Sequence, residues 1–153
     1  MSAPVPDRAT VLEAVMPTLL AAQVDPVGDP DAVGAGVIVA EGAGILAGLV
    51  VAKEAFGRLG VRLRPLLDEG AAIAPGTSVA EVGGAIAAVR GAAPVALAWL
   101  ERLSAVATGT APPEPGHPLD AWAADLHTPR LSPREATRQA GPSFRLAIEG
   151  EEG

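Results

Sequence analysis

The sequence predicts an α+β fold, in which an open antiparallel sheet is flanked by helices. Three segments, near residues 33–41, 61–67 and 77–83, alternate their side chains with the period of a β-strand. An Ala-Pro-Gly sequence at 74–76 separates the second strand from the third and suits a type II turn. The segment 94–108 is apolar around most of its circumference, which is typical of a helix buried in a core or an interface.

The first helix is predicted over residues 8–22. Asp7 is a suitable N-cap, and apolar residues recur after it at helical spacing. Pro17 lies inside this pattern, so we expect it to kink the helix or to split it into two. The strand 33–41 carries glycines along one face, which indicates that a neighbour packs very close to that face.

The middle of the chain is predicted to alternate between strand and helix. The sheet is expected to continue over residues 45–48, after Gly44 has interrupted the first strand. A helix is predicted over 49–58, because apolar residues form one face and Gly60 can end it. The strand 61–67 then places apolar and basic residues on opposite faces.

A proline decides where the long helix is expected to begin. Proline is damaging inside a helix but is tolerated in its first turn. We therefore predict a separate short helical turn over 85–89 and a long helix that begins at Pro94 and ends near Thr108. Leu100 and Leu103, which share an apolar stripe of this helix, are predicted to be buried.

The composition divides the chain into three parts. Residues 1–110 form the predicted domain, residues 111–118 a proline-rich linker, and residues 119–153 a polar, weakly patterned appendage. Two short helices and a strand are predicted in the appendage, over 119–124, 133–139 and 143–148.

The composition also excludes several classes of function. The 153 residues include no cysteine, which excludes disulfides, thiolate metal sites and cysteine nucleophiles. The net charge of −7 disfavours nucleic acid and anionic membranes as partners. The longest apolar run, near residues 45–52, is too short to span a bilayer, and the first seven residues lack the pattern of a signal peptide. We therefore expect a cytoplasmic protein that contacts neither nucleic acid nor membrane.

Three stretches carry a resemblance to a known family. They are AEGAGILAGLVVAKEAFGRLGV at 40–61, LLDEGAAIAPGTSVAEVGG at 66–84 and ALAWLERLSAVATGT at 96–110. In this order and spacing they resemble the N-terminal domain of quinolinate phosphoribosyltransferase, also called carboxylating nicotinate-nucleotide diphosphorylase. The third stretch is similar to the family's long helix, which ends in L-x-R-L-S-G-I-A-T.

The resemblance implies an open antiparallel sheet with helices. In the family this domain lies at the opening of a catalytic α/β barrel, usually the barrel of the partner subunit in a dimer. The barrel supplies most of the chemistry. Quinolinate and phosphoribosyl pyrophosphate react there with Mg²⁺, and CO₂ and pyrophosphate are released. The sequence departs from the family at Pro94, which stands where the long helix, beginning E-R-T-A-L-N, has an arginine that pairs with a substrate carboxylate. A proline ring has no such donor.

A whole barrel needs roughly 200 residues or more, so at most a remnant of its start is expected after residue 110. The sequences DLHTP at 125–129 and AGPSFRL at 140–146 resemble the family's D-T-R-K-T-T-P and A-G-G-x-N-H-R-L. The other interpretation is a tail that covers the core. The candidate substrate-binding residues are Arg145, which this resemblance would retain, and Arg90, one turn before Pro94.

Other kinds of site find little support in the residues. His117 and His127 are the only histidines and lack partners at metal-ligand spacing, so no metal site and no cofactor are predicted. Lys53, the only lysine, falls in a predicted helix and not at a hairpin tip, which argues against a biotinyl or lipoyl carrier. Ser104 lacks a G-x-S-x-G setting and is interpreted as a packing residue, so no catalytic residue is assigned. Four carboxylates are interpreted as turn residues: Asp29, Asp31, Asp68 and Glu69.

Three hypotheses on function stay open. The favoured one is a barrel-less relative of the family that acts as a non-catalytic interaction or dimerisation domain through its sheet or helix surface. The alternative is a component of a carboxylating nicotinate-nucleotide diphosphorylase, a pentosyl transferase of NAD biosynthesis, which acts with a partner that supplies the barrel. The third is a decayed or truncated gene product.

The apolar helix 94–108 predicts an association. It needs a cover, because exposed apolar surface costs about 25 cal/mol per Å². Either the tail covers it, or a second chain does, in a two-fold homodimer or with a phosphoribosyltransferase-type partner. The dimer is favoured here, since the tail offers few large apolar residues: Leu119, Trp122, Leu126 and Phe144.

Overall fold

A four-stranded antiparallel sheet with helices packed on one face forms the body of the protein. The computed structural model describes residues 8–21, 33–110, 118–126 and 143–148. The helices are α1 (Arg8–Ala21), α2 (Leu49–Gly57), α3 (Ile86–Thr108) and α4 (Pro118–Asp125). The strands are β1 (Val33–Ala40), β2 (Gly44–Ile45), β3 (Arg62–Pro65), β4 (Ala72–Ile73), β5 (Ser78–Ala85) and β6 (Phe144–Ile148).

The order of strands in the sheet is β3-β5-β1-β6, and every neighbouring pair is antiparallel. The predicted fold class and the three central strands are therefore confirmed, as are the strand near the C-terminus and the short helix after residue 118. The segment expected to continue this sheet after Gly44 does not do so. Its strand β2 pairs with β4 in a separate two-stranded sheet, because the chain has already turned towards the helices.

The register of the sheet assigns each side chain to one of two faces. Leu63, Val82, Gly36 and Ile148 are cross-strand neighbours in one row, and this row faces the helices. In the adjacent row the side chains of Arg64, Glu81, Val37 and Ala147 point to the other face. The helices α2 and α3 lie only against the first face in the part of the chain that the structure describes.

The glycines of β1 allow the close contact that the sequence predicts. A Cβ atom at Gly34 would lie 2.9 Å from Cδ1 of Ile86, and one at Gly36 would lie 3.1 Å from the carbonyl oxygen of Ala147. Both distances are shorter than ordinary van der Waals contact. The start of α3 and the strand β6 are thus the close neighbours of β1.

The long helix begins earlier than predicted. It is continuous from Ile86, so the expected start at Pro94 and the separate short turn over 85–89 are wrong. Because proline has no backbone N–H, residue 94 cannot donate the helical hydrogen bond that the carbonyl oxygen of Arg90 would accept. Both residues lie on the exposed side of α3, where water can reach that carbonyl, while Ala92 and Ala96 are buried on the other side. Burial of the apolar side thus outweighs the local preference of proline. Likewise Pro17 does not split α1.

The cover of α3 comes from the same chain. Leu100 and Leu103 are fully buried, as predicted. Leu119 and Trp122 of α4 and Phe144 of β6 are buried with them in one core. The helix α3 therefore gives no support for a dimer, because the tail of the same chain supplies the cover that was expected from a second chain. The dimer itself stays a prediction.

Some predictions lie outside the described residues: the N-cap Asp7, both histidines, residues 111–117 of the linker and the helix over 133–139. The division into a domain, a linker and an appendage also stays a prediction. None of the described helices is both long enough and apolar enough to cross a membrane.

Replacing Pro94 with alanine is expected to stabilise the protein. The substitution restores a backbone donor at an exposed position, so the free energy of unfolding should rise by about 1–3 kcal/mol. Ala98→Pro, one turn later on the same exposed side, is the matched control and should lower it by about 3 kcal/mol. Urea unfolding followed by circular dichroism measures both. Destabilisation by Pro94→Ala would contradict a helix that runs through this position.

Candidate functional site

The two candidate arginines do not share a site. Arg90 is exposed on α3, and Arg145 lies on β6 with its Nε 3.9 Å from Oε2 of Glu41. The N–H of Phe144 donates to Oε1 of Glu101, at 3.3 Å, so β6 begins beside that residue. Glu101 follows Arg90 by eleven positions, or about 16 Å along the helix axis. The fold therefore does not bring both arginines to one small substrate.

One described cation lines the depression beside Pro94, and it is engaged in an ion pair. The depression is shallow, with a volume of about 320 Å³ and mainly apolar side chains from α1 and α3. The one arginine that lines it, Arg102, is engaged with Asp120: Nε donates to Oδ1 at 3.2 Å and Nη2 to Oδ2 at 3.0 Å. Its guanidinium also lies 5.4 Å from the centre of the Trp99 ring. Arg102 thus holds α4 against α3 and does not replace the arginine that the resemblance expects at Pro94.

Ser104 is a packing residue, as its sequence context predicts, and its hydroxyl makes specific hydrogen bonds. Its Oγ accepts from the N–H of Ala47 at 3.0 Å and donates to the carbonyl oxygen of the same residue at 3.0 Å. Thr108, one turn later, accepts from the N–H of Ile45 at 2.9 Å and donates to the carbonyl oxygen of Ser104 at 2.6 Å. These two buried hydroxyls fasten α3 to the segment that joins β2 to α2, and so neither is available as a nucleophile.

Glu69 is more than the turn residue that the sequence suggests. Its Oε1 accepts from the N–H of Leu49 at 2.9 Å, and its Oε2 from the N–H of Gly48 at 3.3 Å. The first turn of α2 has no side-chain cap of its own, so this carboxylate from a distant loop satisfies its donors. Burial raises the pKa of Glu69, and the backbone N–H bonds at Leu49, Gly48 and Val50 oppose that rise. Glycine at the N-cap position 48 has no side chain that could accept from the first N–H groups of α2. This is the signal in the sequence that the acceptor must come from another part of the chain.

No catalytic or metal centre emerges from the described residues. No group of three or more histidines, aspartates or glutamates there is placed to hold a metal ion. His117, His127, Asp29 and Asp31 fall outside the described ranges. Asp68 is exposed and Glu69 is occupied by backbone donors, so these adjacent carboxylates do not form an acid–base pair.

The face of the sheet that points away from the helices is the most distinctive surface of the fold. We call it the outer sheet face. Most of its residues are apolar and small. They are Val33, Ala35, Val37, Val39, Gly83, Ala85 and Ala147. The charged residues are Arg62 and Arg64 on the edge strand β3, Glu81 beside them on β5, and Glu41 and Arg145 near the opposite edge. Val33 and Ala35 lie at one end of the face, where β1 pairs with β5 and not with β6, and we call this part the apolar end.

The outer sheet face is open at its apolar end in the described structure. Val33 is 77% exposed, and Ala35 and Ala147 are exposed as well, whereas Val37 is half-buried and Val39 is buried. An apolar patch bordered by charged residues is the usual composition of a protein–protein interface. The sequence did not reveal this surface, because β1 is apolar on both faces and only the register shows which face the helices leave uncovered.

Comparison with known proteins shows that most of the chain matches a family model. The model of the quinolinate phosphoribosyl transferase N-terminal domain matches residues 13–104. A search of curated proteins found no match.

Solved structures resemble the fold over part of their length. The chain is similar to nicotinate-nucleotide pyrophosphorylase from Francisella tularensis, with a TM-score of 0.60 and 18% identity over 72% of this chain and 42% of that one. It is also similar to NadC from Streptococcus pyogenes, with a TM-score of 0.57 and 26% identity over 65% of this chain and 40% of that one. A third similar structure is nicotinate-nucleotide pyrophosphorylase from Ehrlichia chaffeensis, with a TM-score of 0.56 and 11% identity over 78% of this chain and 50% of that one. The chain thus spans half or less of the length of these proteins.

The stability of the protein is expected to depend on pH through Glu69. Because its pKa in the folded protein lies above the ordinary value of 4.5, the folded state binds the proton more tightly than the unfolded chain does. The contribution of Glu69 to the unfolding free energy is therefore complete below pH 4.5 and is lost as the pH rises through the raised pKa.

Glu69→Gln does not titrate and tests this sign. The unfolding free energy of the original protein minus that of the variant should be largest at low pH and shrink towards neutral pH, as urea titrations from about pH 4 to pH 8 would measure. Asp68→Asn, at the exposed neighbouring position, is the matched control. A difference that grows with pH would contradict the burial of this carboxyl group.

Proposed function

Because the chain belongs to the quinolinate phosphoribosyl transferase family through its N-terminal domain, we propose that it is a non-catalytic docking domain. Its outer sheet face binds a phosphoribosyltransferase-type barrel, which the described residues do not contain. The proposal assigns the positioning of a partner to this chain and the chemistry to the barrel.

The observation that carries the proposal is the contrast between the two faces of the sheet. On the helix side, Ile38, Val82 and Phe144 are buried by the chain's own α3. On the other side, Val33 and Ala35 are left exposed at the apolar end of the outer sheet face. Small side chains make that surface flat, so a partner can approach it closely and remove its apolar area from water.

The distribution of cations supports a non-catalytic role. Quinolinate and phosphoribosyl pyrophosphate, which the family resemblance gives as substrates, are dense anions that need several converging donors. In this chain Pro94 replaces the expected arginine, Arg102 is held by Asp120, and Arg145 lies beside Glu41. In the described structure these three positions therefore do not form an anion-binding centre comparable to an active site.

A second candidate function keeps the chain inside an enzyme. Arg90 is exposed one turn before Pro94 on α3, so its side chain can project from the same side of the helix towards a docked barrel. With such a barrel the chain would be a component of a carboxylating nicotinate-nucleotide diphosphorylase of NAD biosynthesis. A homodimer through the same face is the other possible occupant, and the experiment below separates these cases.

Substitutions on the outer sheet face are expected to abolish association without unfolding the protein. Val33→Asp and Ala35→Asp place a charge in the apolar end of this face, where it would be desolvated by a partner. Ala98→Asp, on the exposed side of α3, is the matched control. Light scattering at micromolar concentration measures self-association, and titration with the full-length phosphoribosyltransferase of the same cell measures binding to a barrel.

The expected result is association of the original chain and of Ala98→Asp, with at least tenfold weaker association for the two sheet variants. If the original chain is monomeric and also does not bind the full-length enzyme, the docking role is contradicted. The chain alone is expected to form no nicotinate mononucleotide from quinolinate, phosphoribosyl pyrophosphate and Mg²⁺. Turnover above a control without protein would contradict the non-catalytic assignment.

A further inference from the structure

A second surface, at the β3 edge of the sheet, has a different character. There α2 and β3 enclose an open groove of about 730 Å³, a volume within the range of protein ligand sites. We call it the basic groove. Its floor is apolar, from Val61, Leu63 and Val82, and its walls carry the charged side chains of Lys53, Glu54, Arg58, Arg62, Arg64 and Glu81.

The charge of the basic groove opposes the charge of the chain. Four cations and two carboxylates line it, which gives the groove a net charge of +2, whereas the whole chain carries −7. The four cations are drawn from only eleven lysines and arginines in the sequence. Such a local excess of positive charge, on an otherwise acidic surface, selects an anionic partner and steers its approach.

In the part of the chain that the structure describes, β3 is an edge strand, and its hydrogen-bond pattern shows which backbone groups that edge leaves open. The N–H of Leu66 donates to the carbonyl oxygen of Val79 at 2.9 Å, which fixes the phase of the β3–β5 ladder. Bonded pairs in an antiparallel ladder alternate with non-bonded ones. Arg64 and Arg62 therefore bond inwards to β5, and the N–H and C=O of Leu63 are directed to the open edge.

The backbone at Val61 and Pro65, two residues before and after Leu63, limits the length of any strand that is added to β3. The N–H of Val61 already donates to the carbonyl oxygen of Phe56 at 3.0 Å, and Pro65 has no N–H. Leu63 alone can then exchange both backbone bonds with one residue of an added strand. The ligand residues before and after that one would lie opposite Arg62 and Arg64.

The geometry points to a binding site for an extended acidic segment of a partner protein, added as a short antiparallel strand to β3. The segment has the pattern acidic-x-acidic, in which x bonds to Leu63 and the acidic side chains meet Arg62 and Arg64. The fold already contains one such pair: Glu81 lies directly across from Arg64 on β5, with Oε1 3.7 Å from Nη1. The side chain of x faces the groove floor, so a small apolar residue suits it.

This site and the docking surface use different parts of the sheet. The backbone bonds of the added strand are made by Leu63 at the β3 edge, whereas docking was assigned to the apolar end of the outer sheet face at Val33 and Ala35, and the two surfaces share only the neighbouring side chains of Arg62, Arg64 and Glu81. A failure of one proposal therefore leaves the other standing, and the substitutions can be chosen to distinguish them.

A pair of peptides of equal composition tests the site. The probe is acetylated and amidated Ser-Gly-Glu-Val-Glu-Gly-Ser, and the control is Ser-Glu-Gly-Val-Gly-Glu-Ser, which places both glutamates on the wrong face of the strand. Titration of the full chain, followed by the backbone amide signals in NMR, should show the probe binding roughly tenfold more tightly than the control. The largest shifts are expected at the amides of Leu63 and its two arginine neighbours.

The double variant Arg62→Gln/Arg64→Gln should remove the preference for the probe, and Val33→Asp should leave it unchanged. Both arginines are exposed, so the double variant is expected to fold. Equal binding of the two peptides would overturn the proposal, because charge alone would then explain it. The proposal would also be overturned if the Leu63 amide signal did not shift on titration with the probe, or if the double variant kept the preference for the probe.

Discussion

The close contact between the start of α2 and the middle of α3 is the constraint on which the rest of the fold depends. Gly48 has a φ of 108°, and a Cβ atom there would lie 3.3 Å from both Cδ1 of Leu103 and the carbonyl oxygen of Trp99. A side chain at this position would push the two helices apart. The hydroxyls of Ser104 and Thr108 then bind the backbone just before Gly48, and Glu69 caps the helix that follows it. We call this set of contacts the α2–α3 interlock.

The α2–α3 interlock explains why the helix side of the sheet is complete within this chain. With α3 fixed, α1 docks through the Trp99 indole N–H, which donates to Oγ1 of Thr18 at 3.0 Å, and α4 docks through Arg102 and Asp120. Little apolar surface of α3 is left for a partner. Among the described residues, the apolar end of the outer sheet face, with the exposed Val33, then remains as apolar surface for a partner, and the basic groove lies at the β3 edge of the same sheet.

The sequence predicts those parts of the fold that repeat a local pattern. Period-two alternation located β1, β3 and β5, and apolar stripes located α3 with its buried Leu100 and Leu103. Local rules failed where tertiary contacts outweigh them, as at Pro94, which lies inside a helix because the opposite side is buried. The functional surfaces could not be read in advance for a different reason. Whether Val33 and Ala35 face solvent, and whether Leu63 bonds outwards, depends on the register between strands that are distant in sequence.

The α2–α3 interlock can be tested most directly by adding one methyl group at Gly48. Gly48→Ala is expected to lower the free energy of unfolding by about 2 kcal/mol, from the strained positive φ and the crowding against α3. Gly57→Ala is the matched control on the same helix, since nothing lies within 4 Å of the added atom. It should be neutral or stabilise the protein by up to about 1 kcal/mol. Equal unfolding free energies for the two variants, measured in urea, would contradict the claim that the fold depends on this contact.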